Sequence, residues 1–235
     1  MIVCLTIGAE CSGQDYCRKL LDPFLKDEAK CRLATNTPEV RTRDIWFKKD
    51  TPAQVKLDLQ AEIAQLESQG VTHFYEDTSF PFLLNRLAPT YPSLNELLDL
   101  FEGHDVRILL LKRDPVESTA SVLRRVSSAN AVTDIYNEAA ITSRTISILY
   151  ESVFRQNINF KFIEFNSMLS NPQQTAKALS SYFSMPVVHV ATQNSRQQSI
   201  GSSYLGEFQV GLLHKFFRLK RNMFEEMFPK ESKLC

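Results

Sequence analysis

Glycine is scarce in this sequence: 7 of 235 residues, under half the usual share of about 7%. So little glycine, with 43% hydrophobic and 23% charged residues, excludes a collagen-like, low-complexity or mainly disordered chain. Cysteine is sparse too. Cys4, Cys11, Cys17, Cys31 and Cys235 form no CxxC pair and stand near no histidine at metal-ligand spacing. A disulfide scaffold is excluded, no metal is expected, and the thiols read as reduced in a cytoplasmic protein.

Excess charge of one sign is also missing. The 27 Lys+Arg balance 27 Asp+Glu, which argues against a nucleic-acid partner held by whole-molecule electrostatics. The balance is uneven along the chain: residues 74–105 hold one Arg against six acids, and residues 106–125 five bases against two acids. No apolar run approaches the roughly 20 residues that span a bilayer. The stretch 1–13 lacks a basic start, and its apolar run of about six residues falls short of a signal peptide's 7–15. No membrane partner is therefore expected. One domain over 1–235 suits this length, and it can bury on the order of 70% of its unfolded surface.

Apolar spacing alternates between strand and helix. Strands are expected at Ile2–Ile7, Val71–Glu76, Val106–Lys112 and Asn159–Phe165, with a further one at Val187–Val190. Ile108 to Leu111 are continuously apolar, as in a parallel strand covered on both faces. Helices are expected at Gln14–Lys26, Thr51–Gln69, Ser93–Phe101, Pro115–Val126, Val132–Arg155 and Asn171–Phe183, and as a C-terminal helix over 205–228. Thr51 with Gln54 and Ser93 with Glu96 have capping-box spacing. Asn171 is a candidate N-cap, and Pro52, Pro115 and Pro172 suit first helical positions. Gly70 and Gly103 are expected helix stops. Residues 27–50 show no clean period and read as a loop excursion. This alternation predicts an α/β fold: a three-layer α/β/α arrangement with a central parallel sheet, P-loop NTPase-like in type.

Two segments carry chemistry. In the first, Gly8-Ala9-Glu10-Cys11-Ser12-Gly13 joins a strand to a helix, where backbone N–H groups and a helix N-terminus converge on an anion. The glycine spacing is Walker-like, but Gln14-Asp15 stands where Lys-Ser/Thr should be, which disfavours an ATP or GTP hydrolase. An ordinary strand–helix turn is the plain alternative, with Asp15 complementing the helix dipole. In the second, Arg113 leaves the carboxyl end of the best strand, Asp114-Pro115 starts the next helix, and Ser121 lies about two turns along it, with Ser118 on the same face. A forked charged donor and a hydroxyl so placed can hold one phosphate from two sides. A surface arginine with two helix serines is the plain alternative.

The segment Val106–Ser121 resembles the 3′-phosphate motif of sulfotransferases that use 3′-phosphoadenosine 5′-phosphosulfate (PAPS). In that family a hydrophobic strand ends in Arg-Asp-Pro or Arg-Asn-Pro, with a serine eight positions after the arginine. Cys11-Ser12-Gly13-Gln14-Asp15 resembles the family's 5′-phosphosulfate loop. Phe162–Phe183, with its acidic turn and Asn171-Pro172, resembles a later family segment. The resemblance implies PAPS as sulfuryl donor, no metal, and a small-molecule or glycan acceptor. It implies that Arg113 and Ser121 hold the 3′-phosphate and that residues 11–15 hold the phosphosulfate. Arg196 and Gly201 match the ends of the family's nucleotide-closing loop.

The chain departs from the family where Cys11 replaces the loop's basic residue and Gln14-Asp15 replace its hydroxyl pair. That places transfer in question more than binding. A nucleotide-binding pseudoenzyme and a P-loop small-molecule kinase are the alternative readings. An acceptor hydroxyl or amine must lose a proton as it attacks. The family's position for the base falls near the second long strand's exit, which makes Asp77 the first candidate, followed by Glu76 and His73. Trp46, Phe47, Phe80 and Phe82 are candidates to line a pocket. The basic-aromatic run at 214–221 reads as the solvated face of a packed helix.

Overall fold

Runs of β-branched and apolar residues place four long strands side by side with one short one: β1 (Ile2–Gly8), β2 (Cys31–Leu33), β3 (His73–Ser79), β6 (Asp105–Lys112) and β7 (Phe160–Glu164). All neighbours are parallel, in the order β2-β3-β1-β6-β7. A two-residue pair, β4 (Leu83–Leu84) and β5 (Ala88–Pro89), stands apart as an antiparallel ribbon. The computed structural model describes residues 1–34, 52–79, 83–84, 88–89, 94–126, 132–155, 159–186, 205–226 and 233–235.

Helices cover both faces. Cys17, Leu20, Leu21 and Phe24 of α1 (Gln14–Leu25) pack on Cys4, Tyr75, Leu109 and Leu111, as do Phe165 and Met168 of α6 (Phe165–Ser170) and Ala176 and Leu179 of α7 (Pro172–Tyr182). On the other face, Val55, Leu59 and Ile63 of α2 (Pro52–Ser68), Leu94 and Leu97 of α3 (Leu94–Asp99) and Ile146, Leu149 and Val153 of α5 (Val132–Arg155) cover Val3, Leu5, Ile7, Phe74, Ile108 and Leu110. Burying each such side chain stabilises by about 1.5–3 kcal/mol. The inner strands are thus apolar on both sides, which is why Ile108 to Leu111 do not alternate. A smaller core joins α4 (Pro115–Val126), the start of α5 and α8 (Glu207–Glu226) through Val116, Leu123, Ile135, Leu213 and Phe217. The expected three-layer α/β/α fold with a central parallel sheet is present, and a glycine loop joins the central strand β1 to α1.

Local signals explain the element ends. Asp114 Oδ1 accepts from the N–H groups of Val116 at 2.8 Å and Glu117 at 3.4 Å, capping α4. Gly70 and Gly103 follow α2 and α3 with φ of 85° and 88°, a conformation that costs glycine least. Pro172 starts α7, but the Asn171 side chain makes no cap bond; its Nδ2 donates to Ser170 Oγ instead. Thr51 and Ser93 lie outside the described residues, and Gln54 Nε2 donates to Asp58 Oδ1 at 2.7 Å.

Two expectations change, and one further pairing is new. Part of the excursion at 27–50 is ordered sheet, because Cys31–Leu33 forms the edge strand β2. The strand expected at 71–76 starts at His73 and runs to Ser79. At the opposite edge, the N–H of Leu234 donates to the Phe162 carbonyl at 2.8 Å, so Lys233 to Cys235 line β7. The strand expected at Val187–Val190 lies outside the described residues. Among the described residues, no helix is long and apolar enough to cross a membrane.

Candidate functional site

The chain leaves β1 toward β2 and β3 on one side and later returns to β6 on the other. Open parallel sheets bind ligands where this direction reverses, outside the strands' carboxyl ends. Gly8 lies level with Ser79 of β3 and Leu111 of β6, so the glycine loop and the start of α4 share that crevice.

The loop is tightly folded. The Ser12 N–H donates to the Ala9 carbonyl at 3.1 Å, Cys11 is left-handed with φ 61°, and Gly13 has φ 109°. A Cβ on Gly13 would stand 2.5 Å from Phe165 Cδ2, and one on Gly8 would stand 3.0 Å from Ser12 Cβ. Gln14 turns back on the loop, its Nε2 donating to the carbonyls of Ala9 at 3.0 Å and Gly8 at 3.3 Å. Its amide therefore serves loop geometry.

Arg113 reaches the same loop across 102 positions of sequence. Its Nη1 donates to the Cys11 carbonyl at 2.8 Å, and its guanidinium lies over the Phe165 ring at 4.4 Å, a favourable cation–π contact. Only 9% of the side chain is exposed, and Glu117 approaches no closer than 3.9 Å. Burial pulls the guanidinium below its ordinary pKa. Two buried polar atoms here, Arg113 Nε and Ser118 Oγ, have no hydrogen-bond partner among the described residues. A buried unmet donor costs about 1–3 kcal/mol, and more when charged. Ser121 is half-buried on α4, two turns on from Arg113. The structure thus brings Cys11, Ser12, Gly13, Gln14 and Arg113 together. Phe165 is the residue between loop and arginine that the sequence did not single out. Arg196 and Gly201 lie outside the described residues, as do Trp46, Phe47, Phe80 and Phe82.

The candidate bases separate. Asp77 faces α1 near the carboxyl end of β3, where Arg18 Nη1 donates to its Oδ2 at 3.0 Å. Arg18 Nη2 also donates to Asp15 Oδ1 at 2.6 Å. Arg18 escaped the sequence reading. Its only local signal was the i,i+3 spacing from Asp15, whereas Asp77 is 59 residues away. Glu76 points to the opposite face and is buried. His73 is not brought to the site: it pairs with Ile2, at the far end of the sheet. Its Nε2 bonds the Phe183 carbonyl at 3.0 Å, its Nδ1 lies 2.8 Å from Thr72 Oγ1, and burial lowers its pKa. That is the environment of a structural histidine.

The Arg18–Asp77 pair yields a stability prediction. Asp77 is 8% exposed and Arg18 30%, so removing one partner strands a largely buried charge. In a cycle of Arg18→Met, Asp77→Asn and the double variant, urea unfolding should give a coupling of about 1–3 kcal/mol. Additive effects would show that the pair contributes nothing.

Two further pairs frame the crevice. Arg125 of α4 pairs with Glu10 of the loop. Glu164 is held between Lys233 at 3.1 Å and Lys112 at 3.5 Å. Burial opposes its charge, but the two lysines outweigh that and leave its pKa lowered.

No family model and no curated protein matches the chain. Among solved structures it is similar to the sulfotransferase domain of the olefin synthase from Synechococcus PCC 7002. That likeness has 12% identity, covers 97% of this chain and 94% of that one, and has a TM-score of 0.46.

Proposed function

We propose that this protein is a sulfotransferase that binds PAPS in the crevice between β1 and β6. The carrying observation is the Arg113 side chain, buried against the glycine loop with its Nε unpartnered. A phosphate oxygen at that atom removes the desolvation cost of an unmet charged donor. The reading also rests on the resemblance of Val106–Ser121 to the family's 3′-phosphate motif. The donor supplies an activated sulfuryl group for a hydroxyl or amine of a small-molecule or glycan acceptor. The chain's part is positioning and electrostatics: Arg113 and Ser121 hold the nucleotide's 3′-phosphate, and the loop N–H groups with the start of α1 face the phosphosulfate. Arg113 brings to the loop the positive charge that Cys11 does not. Asp77 takes the acceptor's proton, and Arg18 orients it.

One observation favours binding without transfer. Gln14 Nε2 is committed to loop carbonyls, so no side-chain donor from that position faces a transferring group.

Calorimetry with adenosine 3′,5′-bisphosphate tests the assignment. The wild type should bind, and Arg113→Ala should bind about 10- to 100-fold more weakly, the worth of a charge-assisted hydrogen bond at about 1.4 kcal/mol per tenfold. Ser121→Ala, which leaves the loop contact intact, should give a smaller loss. Equal affinity in Arg113→Ala, or no binding by the wild type, would overturn the proposal. Preference for Mg²⁺–ATP would point to a kinase. Bisphosphate binding without sulfate transfer would identify the pseudoenzyme.

A further inference from the structure

The Cys11 side chain has no task in the proposed function. It is half-buried, in left-handed conformation, three positions before α1. Three other thiols are shut in the core. Cys4, Cys17 and Cys31 are at most 1% exposed, and burial pushes Cys17 and Cys31 up to about 12 and Cys4 well above its ordinary value. Cys235 is half-buried, with Thr175 Oγ1 at 3.9 Å.

The second observation is Arg113. Its guanidinium is nine-tenths buried, bonds the carbonyl of Cys11 itself, and keeps Nε without a partner. The acids that would oppose a thiolate there are engaged: Glu10 with Arg125, Asp15 with Arg18, and Glu117 at 3.9 Å from Arg113. A thiol on a residue whose carbonyl binds an arginine, just ahead of a helix N-terminus, is in surroundings that favour its reactive, ionised form.

We propose that Cys11 is a thiol–disulfide exchange site for an anionic low-molecular-weight disulfide, and that the resulting adduct closes the loop to the nucleotide. The second half rests on the function proposed above. The Cys11 thiolate attacks one sulfur of the disulfide. A new S–S bond joins the protein to half of the reagent, the original S–S bond breaks, and the other half leaves as a thiolate. The disulfide is itself the oxidant, and the proton released on ionisation of Cys11 passes to solvent. Attraction to Arg113 and to the α1 N-terminus selects a negatively charged reagent.

The probe is glutathione disulfide on the full chain, followed by peptide mass spectrometry, with the uncharged 2-hydroxyethyl disulfide as control. Cys11 should form its mixed disulfide at least about ten times faster than Cys235, in keeping with thiolate-controlled exchange. Arg113→Gln should slow that reaction severalfold, and Arg113→Lys should restore most of it. Should Arg113→Gln fail to fold, raised salt should slow glutathione disulfide on the wild type and leave the uncharged reagent unaffected. A rate at Cys235 matching that at Cys11, or insensitivity to both Arg113→Gln and salt, would overturn the exchange site. Saturating adenosine 3′,5′-bisphosphate should protect Cys11, and the adduct should abolish nucleotide binding until it is reduced. Binding without protection would overturn the loop-closing half. A wild type that binds no bisphosphate would instead count against the proposed function, while the exchange rates still decide the thiol.

Discussion

Alanine at position 13 should destabilise the protein by about 2–5 kcal/mol, from two separable causes. Gly13 has φ 109°, and left-handed backbone costs a residue with a Cβ roughly 1–2 kcal/mol. The added methyl would also stand 2.5 Å and 2.8 Å from two Phe165 ring atoms and 3.2 Å from Met168 Cε; overpacking of that kind costs typically 1–3 kcal/mol. In a chain of this size the sum corresponds to a melting point roughly 5–20 °C lower. Gly70 supplies the control. Its φ is 85°, yet a Cβ there meets nothing within 4 Å, so Gly70→Ala should show the backbone part alone, about 1–2 kcal/mol. Thermal unfolding followed by circular dichroism compares the two. A loss at Gly13 no larger than that at Gly70 would show that the loop does not press on α6.

The same contrast shows what could be read without coordinates. Signals local in sequence were legible. Asp114-Pro115 fixed the start of α4, Gly70 and Gly103 marked helix ends, and the unbroken run Ile108 to Leu111 announced an inner parallel strand. Placement on opposite faces of β3 was legible too, because strand alternation sends Glu76 away from Asp77. Distance along that strand was legible as well, since His73 precedes Asp77 by four residues. His73 and Asp77 share a face, yet His73 pairs with Ile2 and Asp77 with Thr6, beside the loop. Four residues of rise, about 13 Å, separate a structural histidine from a candidate base. Long-range contacts left almost no local trace. Nothing around Arg18 announces Asp77, and nothing around Arg113 announces the Cys11 carbonyl. The strand Cys31–Leu33 is three residues long, too short for a period-2 pattern to rise above a charged neighbourhood. The site's identity was thus local, whereas its wiring was tertiary.

Phe165 tests that wiring most directly. It is 7% exposed, meets Tyr16 edge-on with ring centroids 6.2 Å apart, and lies beneath the Arg113 guanidinium. Phe165→Ala should cost about 3–5 kcal/mol, the usual loss for a buried aromatic. The cavity would open on the side where a Cβ at position 13 needs room. Gly13→Ala should therefore be milder in the Phe165→Ala background, with a coupling of about 1–3 kcal/mol. Strict additivity of the two changes would contradict the close approach of loop and ring. Phe165→Leu separates bulk from the ring face: it should keep stability within about 1.5 kcal/mol yet lose the cation–π contact, worth about 0.5–2 kcal/mol. With that face gone, Arg113 is less firmly aimed at the loop, so adenosine 3′,5′-bisphosphate should bind Phe165→Leu severalfold more weakly while its melting point stays near wild type. If affinity tracks stability alone across Phe165→Leu, Phe165→Ala and Gly13→Ala, the ring only packs the core. If Phe165→Leu weakens binding at near-native stability, the ring is what holds the arginine against the glycine loop.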